Sequence, residues 1–240
     1  MSETFIMIAA AVLPALILWI YTCKNDTQRE PMSQMVKALL YGMGVVALAI
    51  PIEKAISYLL FGNAEPETIL GTTADAFFVA AIPEECLKLL ALLLVLRNNP
   101  FFDEHYDGIV YAVCVSLGFA AVENIGYIFS ETDGWLDVAV SRALLTIPGH
   151  YAFAVLMGYY YSLRHFGDKS GKNLVCILLV PILAHGIYDS IAMLSEVSPE
   201  FGAFSTSLLI YFCIKMHKIA HRKMMIQINK DLTLMNKFED

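Results

Sequence analysis

Long apolar stretches alternate with short polar links along the whole chain. Seven stretches come close to or exceed the roughly 20 residues that cross a bilayer as a helix. They run over Thr4–Tyr21, Ser33–Phe61, Thr72–Arg97, Tyr106–Phe129, Leu136–Leu163, Asn173–Leu194 and Phe201–Ala220. The pattern predicts an all-α, polytopic membrane protein of about seven transmembrane helices. It reads as one domain over residues 1–220, with residues 221–240 as a polar cytoplasmic tail. No internal repeat or low-complexity tract interrupts it.

The links differ in charge. Lys24, Arg29 and Lys37 flank the first, Arg97 sits at the third, Arg164, Lys169 and Lys172 lie at the fifth, and Lys215, Lys218, Arg222, Lys223, Lys230 and Lys237 follow or end the last span. The other links carry Glu65 and Glu67, then Glu131, Asp133 and Asp137, then Glu196 and Glu200. Basic loops stay on the cytoplasmic side. The expected topology therefore has the N-terminus outside and the C-terminus inside.

Composition agrees with lipid as the solvent: 58% of the residues are hydrophobic and 16% charged, far from a soluble average. No basic patch with interleaved aromatics is present, so nucleic acid is not an expected partner. The five cysteines show no paired spacing and read as small core residues.

Ionisable groups inside spans are costly, and they mark a bundle interior or a hydrated cavity. Four spans carry them. The third holds Pro83-Glu84-Glu85-Cys86-Leu87-Lys88, the fourth Glu123-Asn124, the fifth Arg142 and Pro148-Gly149-His150, and the sixth His185-Gly186-Ile187-Tyr188-Asp189. At 1.5 Å per residue, Glu84 and His150 lie roughly 20 Å from the outer ends of their spans, His185 about 15 Å, and Glu123 and Asp189 near 10 Å. All fall within one slab from mid-membrane to the outer half.

Spacing of three or four places Glu84, Glu85 and Lys88 on one helix face, and likewise His185 with Asp189. Pro83, Pro148 and Pro181 each precede one of these residues closely. Each frees a carbonyl at membrane depth, from Val79, Leu144 and Ile177, and so predicts kinked helices around a polar cavity. Taken singly, the features have plain structural readings. Glu84 and Glu85 with Lys88 can form an ion pair, Glu123-Asn124 a hydrogen-bonding pair between helices, and Arg142 can snorkel to the interface. Glu53-Lys54 reads as interfacial, and His105, His165, His217 and His221 as solvated. Taken together, two histidines and three glutamates at similar depth form a hydrolytic set, and two histidines with carboxylates also suit zinc. The His-Glu-x-x-His signature, a Gly-x-Ser-x-Gly elbow and a phosphate loop are all absent.

At these residues the chain resembles the PrsW family of bacterial intramembrane proteases, related to the CAAX prenyl protease and bacteriocin-protection membrane proteins. The matching stretches are Pro-Glu-Glu-Cys-Leu-Lys at 83–88, Phe-Asp-Glu-His-Tyr-Asp-Gly-Ile-Val-Tyr at 102–111, Gly-Phe-Ala-Ala-Val-Glu-Asn at 118–124, Pro-Gly-His at 148–150 and His-Gly-Ile-Tyr-Asp at 185–189. They are similar to the family's elements in order and spacing, over a core of about residues 30–195.

The resemblance implies an enzyme of the bacterial plasma membrane that hydrolyses a peptide bond. It implies site-1 cleavage of a single-span anti-sigma factor on its outer side. By position, Glu84 or Glu85 would activate water, Glu123, His150 and His185 would complete the site, and Asp189 would orient His185. Lys88, Asn124 and Arg142 would support them. In a metal version, His150, His185 and a carboxylate, Glu123 or Glu85, would hold zinc or another divalent ion. In a metal-free version a glutamate would activate water directly, with His185 or Asn124 at the oxyanion. The related prenyl proteases carry His where this chain has Glu123. Three other readings stay open at this point: a proton-coupled transporter or channel using the buried carboxylates, a catalytically inactive membrane scaffold, and a protease acting on prenylated peptides. The oligomeric state is not encoded in any feature of the sequence.

Overall fold

In a computed structural model, residues 2–131, 133–167 and 169–239 are described, without the side chains of Glu196, Phe238 and Glu239. Among the described residues there is no strand. Seven helical runs follow the seven apolar stretches. They are α1 (Glu3–Lys24), α2 (Met32–Phe61), α3 (69–96), α4 (Asp107–Ser130), α5 (Trp135–Phe166), α6 (Gly171–Ala192) and α7 (Gly202–Glu239). A helical turn at Leu194–Val197 and a 3-10 turn at Pro199–Phe201 join the last two. Five of the seven, α1, α2, α4, α5 and α6, are long and apolar enough to cross a membrane. The third run carries Glu84, Glu85 and Lys88, and the seventh becomes polar in its second half.

Local signals fix several starts. Thr68 caps α3 by accepting from the Gly71 N–H at 3.0 Å, and Ser170 caps α6 at Asn173. Pro31 sits just ahead of α2, where its missing N–H costs nothing. Two of the three prolines near the polar residues do more than kink. In α3 a π-helical segment, Asp75–Ala81, precedes Pro83. In α5 another, Arg142–Thr146, precedes Pro148. Proline cannot donate to the carbonyl four residues back, so the preceding turn widens its hydrogen-bonding register. Val79 and Leu144, whose carbonyls are freed, lie within these segments. Pro181 is carried inside α6 without such a segment.

Helix α4 is the axle. It is buried on nearly every side, with 83% of its most apolar 18-residue window covered, against 11% for α1. A helix apolar all round belongs at the centre of a bundle. The outer helices turn large apolar side chains outward, such as Leu59, Leu70 and Leu144 at 81%, 81% and 68% exposed. In water such a surface would drive association, but lipid solvates it. Close approach to α4 depends on small residues. A Cβ on Gly42 of α2 would collide with the Val115 carbonyl, and one on Gly118 with the Leu39 carbonyl. A Cβ on Gly44, two residues on, would meet nothing within 4 Å.

The segment read as a polar tail continues α7 to Glu239. Met224, Gln227, Ile228 and Asp231 are buried. Gln227 donates to the Tyr159 carbonyl of α5, and Asp231 accepts from the His105 and Tyr106 N–H groups just ahead of α4. His105, which reads as solvated, also directs its Nδ1 to Asp231 at 2.9 Å.

Candidate active site

The π segments and prolines aim α3 and α5 at α4 and α6, and the polar residues of all four meet there. Lys88 is the hub. Its Nζ lies 2.8 Å from Glu84 Oε2, 2.9 Å from Glu85 Oε1 and 3.1 Å from His150 Nδ1, and 4.3 Å from the Phe119 ring centroid. The spacings of three and four on α3 put both carboxylates within reach of one ammonium. An ammonium buried to 1% exposure needs such a shell of acceptors.

Each histidine is held at both ring nitrogens. His150 Nε2 meets Glu123 Oε2 at 3.0 Å, opposite the Lys88 contact. His185 Nδ1 meets Glu85 Oε1 at 2.9 Å, while its Nε2 lies 3.1 Å from Asp189 Oδ2 and 4.0 Å from Glu84 Oε2. The two rings stand 5.3 Å apart, and Phe153 stacks on His185. Gly186, next to His185, leaves room for the Phe77 ring from the π segment of α3. Thr146 and Tyr188 are hydrogen-bonded at 3.0 Å between α5 and α6.

Arg142 does not snorkel. It turns inward, with Nη2 2.8 Å from Glu123 Oε2, Nε 2.7 Å from Asn124 Oδ1, and its guanidinium over the Tyr127 ring. Asn124 is committed at both ends, because its amide also donates to the Ala11 carbonyl of α1 at 2.8 Å. That pairing ties α1 and α5 to α4. All six candidate catalytic residues and the three supporting ones thus share one connected network.

Burial grades across it. Glu84, Glu85, Lys88, His150 and His185 are no more than 5% exposed, whereas the Glu123 and Asp189 side chains are 19% and 20% exposed and Arg142 is 12%. The site therefore has a closed floor and a rim. Four carboxylates face two fixed cations, Lys88 and Arg142, an excess of acid that a divalent ion or the two imidazoles can offset. The donor atoms of Glu84, His150 and His185 all lie within 4.8 Å of one another. Two imidazoles and a carboxylate are a zinc-type donor set, so these residues fit a metal. Glu84 is the carboxylate that completes the trio, whereas Glu123 is drawn to His150 and Arg142.

A model of the PrsW family of intramembrane metalloproteases matches residues 30–216. The chain belongs to the PrsW family. Proteins named Protease PrsW from Clostridioides difficile and Bacillus subtilis are 36% and 37% identical over 215 and 194 residues. Those alignments cover 87% and 78% of this chain, and 86% and 83% of the relatives. A third, from Geobacillus kaustophilus, is 36% identical and covers 80% and 82%. No solved structure matches. The chain is accordingly a multi-pass membrane protease of bacterial type, and the transporter reading is not favoured.

Two groups of residues escape the sequence reading. Glu53 of α2, which reads as interfacial, interacts electrostatically with Glu84, Glu123, Lys88 and His185. Pro51, two residues ahead of it, is the same signal that marks the other polar sites. The second group lies at the opposite end of α4, where the 102–111 stretch meets the first link. Asp26, Glu30, Glu104 and Asp107 are all buried there. Burial pushes the Asp26 carboxyl up to about 6 and the Glu30 carboxyl up to about 7.

Proposed function

We propose that this PrsW-family protease is a metal-dependent endopeptidase that cuts a single-span membrane protein, an anti-sigma factor, near the outer face of the membrane. The observation that carries the reading is the graded network, with its acid and imidazole donors on the floor and Glu123, Asp189 and Arg142 at the rim. The rim residues lie nearest the outer ends of their spans if the N-terminus is outside and the C-terminus inside, as the basic links favour. A substrate helix unwound near the outer leaflet would reach the rim first, and the surrounding lipid would hold it in place.

In this mechanism Glu84, His150 and His185 would hold a divalent ion, which would acidify bound water and polarise the scissile carbonyl. Glu123, partly exposed, takes a proton from the attacking water and returns it to the leaving amine. Arg142 holds Glu123 in position for that transfer. Glu85 fixes the orientation of the His185 ring through Nδ1, which leaves Nε2, facing Glu84 and Asp189, for the ion, and Lys88 holds Glu84 and Glu85 together.

One observation favours a second reading. The Lys88 ammonium stands 3.1 Å from His150 Nδ1, where it competes with a metal for that nitrogen. In a metal-free mechanism Glu123 would activate water alone, and His185 would exchange its Nε2 contact with Asp189 for one to the oxyanion.

Cleavage of a panel of tagged single-span substrates, including a cognate anti-sigma factor, separates these readings. The purified protein is assayed in lipid with and without a strong zinc chelator, and its metal content is measured in parallel. Activity lost on chelation and restored by metal supports the first mechanism. Activity indifferent to chelation, with no metal bound, supports the second. No cleavage of any substrate under either condition, by protein verified as folded, contradicts both.

A further inference from the structure

The acidic group at the other end of α4 obeys different rules from the active site. Asp26 comes from the α1–α2 link, Glu104 from the α3–α4 link, and Asp107 from the first turn of α4. One carboxylate oxygen from each lies within 4.8 Å of the others. Glu30 adjoins them: its carboxylate accepts from Tyr111 and interacts directly with Asp107. Sixteen residues separate Asp107 from Glu123, so the two acidic centres stand about 24 Å apart along α4.

The hydrogen bonds account for only part of this cluster. Asp107 Oδ2 accepts from the Asp103 and Glu104 N–H groups at 3.0 and 2.6 Å, and Asp26 Oδ2 accepts from the Glu30 N–H at 3.2 Å. Glu104 accepts from Thr27 and from Gln28. The second oxygens, Asp26 Oδ1 and Asp107 Oδ1, are buried without a hydrogen-bond partner. Asp107 is fully buried and Asp26 is 8% exposed. Among the described residues, no lysine or arginine forms an ion pair with any of the four acids, and the one nearby histidine, His105, is engaged by Asp231. Buried carboxylates need a counter-charge or a proton, and an orphaned oxygen needs a partner.

We propose that Asp26, Glu104 and Asp107, with Glu30 beside them, form a second, structural binding site for a hard divalent cation such as calcium, magnesium or manganese. The donors are all oxygen, which selects hard ions over the soft-donor preference of zinc. The cation supplies the missing charge and gives both orphaned oxygens a ligand. It pins the α1–α2 link and the α3–α4 link to the start of α4, beside the point where Asp231 of α7 already grips the same turn. The site explains the acids of the 102–111 stretch, which lie outside the proteolytic network.

The test needs no substrate, so its failure is distinguishable from failure of the protease assignment. Manganese binding to the full-length protein in nanodiscs is counted by electron paramagnetic resonance, and Tm is read in calcium or magnesium against chelator. The measurements use wild type and a Glu84→Gln/His185→Ala background that removes the donors of the catalytic site. The expected result is one saturable manganese per chain retained in that background, and a rise in Tm of several degrees with calcium or magnesium. Affinity falls at least tenfold in Asp26→Asn and Glu104→Gln, both of which keep a hydrogen-bond acceptor. The absence of saturable manganese in the background protein would overturn the proposal whatever the variants do. So would binding that Asp26→Asn and Glu104→Gln leave unchanged.

Discussion

The two buried acidic centres on α4 hold similar numbers of carboxylates and solve the problem of burying them in opposite ways. Around Lys88, every carboxylate faces a cationic or imidazole nitrogen, on its own helix or on a neighbouring one. Around Asp107, the carboxylates meet backbone N–H groups, hydroxyls and one amide, and two oxygens meet nothing. Mixed acid and base can exchange protons, which is what hydrolysis requires. Acid alone can only hold a cation or a proton. Residue type does not separate a catalytic cluster from a structural one here, but the identity of the partners does.

The largest expected effect breaks the first centre chemically. Glu84→Gln or His185→Ala should lower cleavage by about 10³-fold, within the range for lost acid–base or electrophilic groups, as measured by substrate turnover in lipid. Lys88→Met breaks it electrostatically. Two buried carboxylates then lose their shared partner, which costs about 3–5 kcal/mol of stability in thermal or chemical unfolding. Asp231→Ala sharpens the contrast at the other end. It strips the acceptor from the His105 and Tyr106 N–H groups and should cost about 1–3 kcal/mol. The smallest effect is expected at Glu53→Gln, which touches the site only through its charge. It should shift the pH profile of cleavage with a change of a few-fold in rate, and an unchanged profile would remove Glu53 from the account.

Much of the helical layout is legible in the sequence because the lipid requirement is strict. Ser33–Phe61 differs from α2 by one residue at its start, and Tyr106–Phe129 from α4 by one residue at each end. Depth along each span also brings Glu84, Glu123, His150 and His185 to one level. The partners are less visible. That Arg142 would turn inward to Glu123, or that Asn124 would be spent on Ala11, depends on how α1 and α5 rotate about α4. Hydropathy does not encode that rotation. The π segments ahead of Pro83 and Pro148 alter the register of both helices by a fraction of a turn, which a regular 3.6-residue repeat misses. The segment after Ala220 looks polar because charged residues recur along it, yet Met224, Gln227 and Asp231 lie on the face that packs.

The central claim is that the Lys88-centred network is the proteolytic site. The most direct test is turnover of a single-span substrate by wild type, Glu84→Gln, Glu123→Gln and His185→Ala in the same nanodiscs, with Tm recorded for each. The account predicts that cleavage collapses in all three variants while each remains folded. Full cleavage by folded Glu84→Gln and His185→Ala would contradict it and move the chemistry elsewhere in the chain.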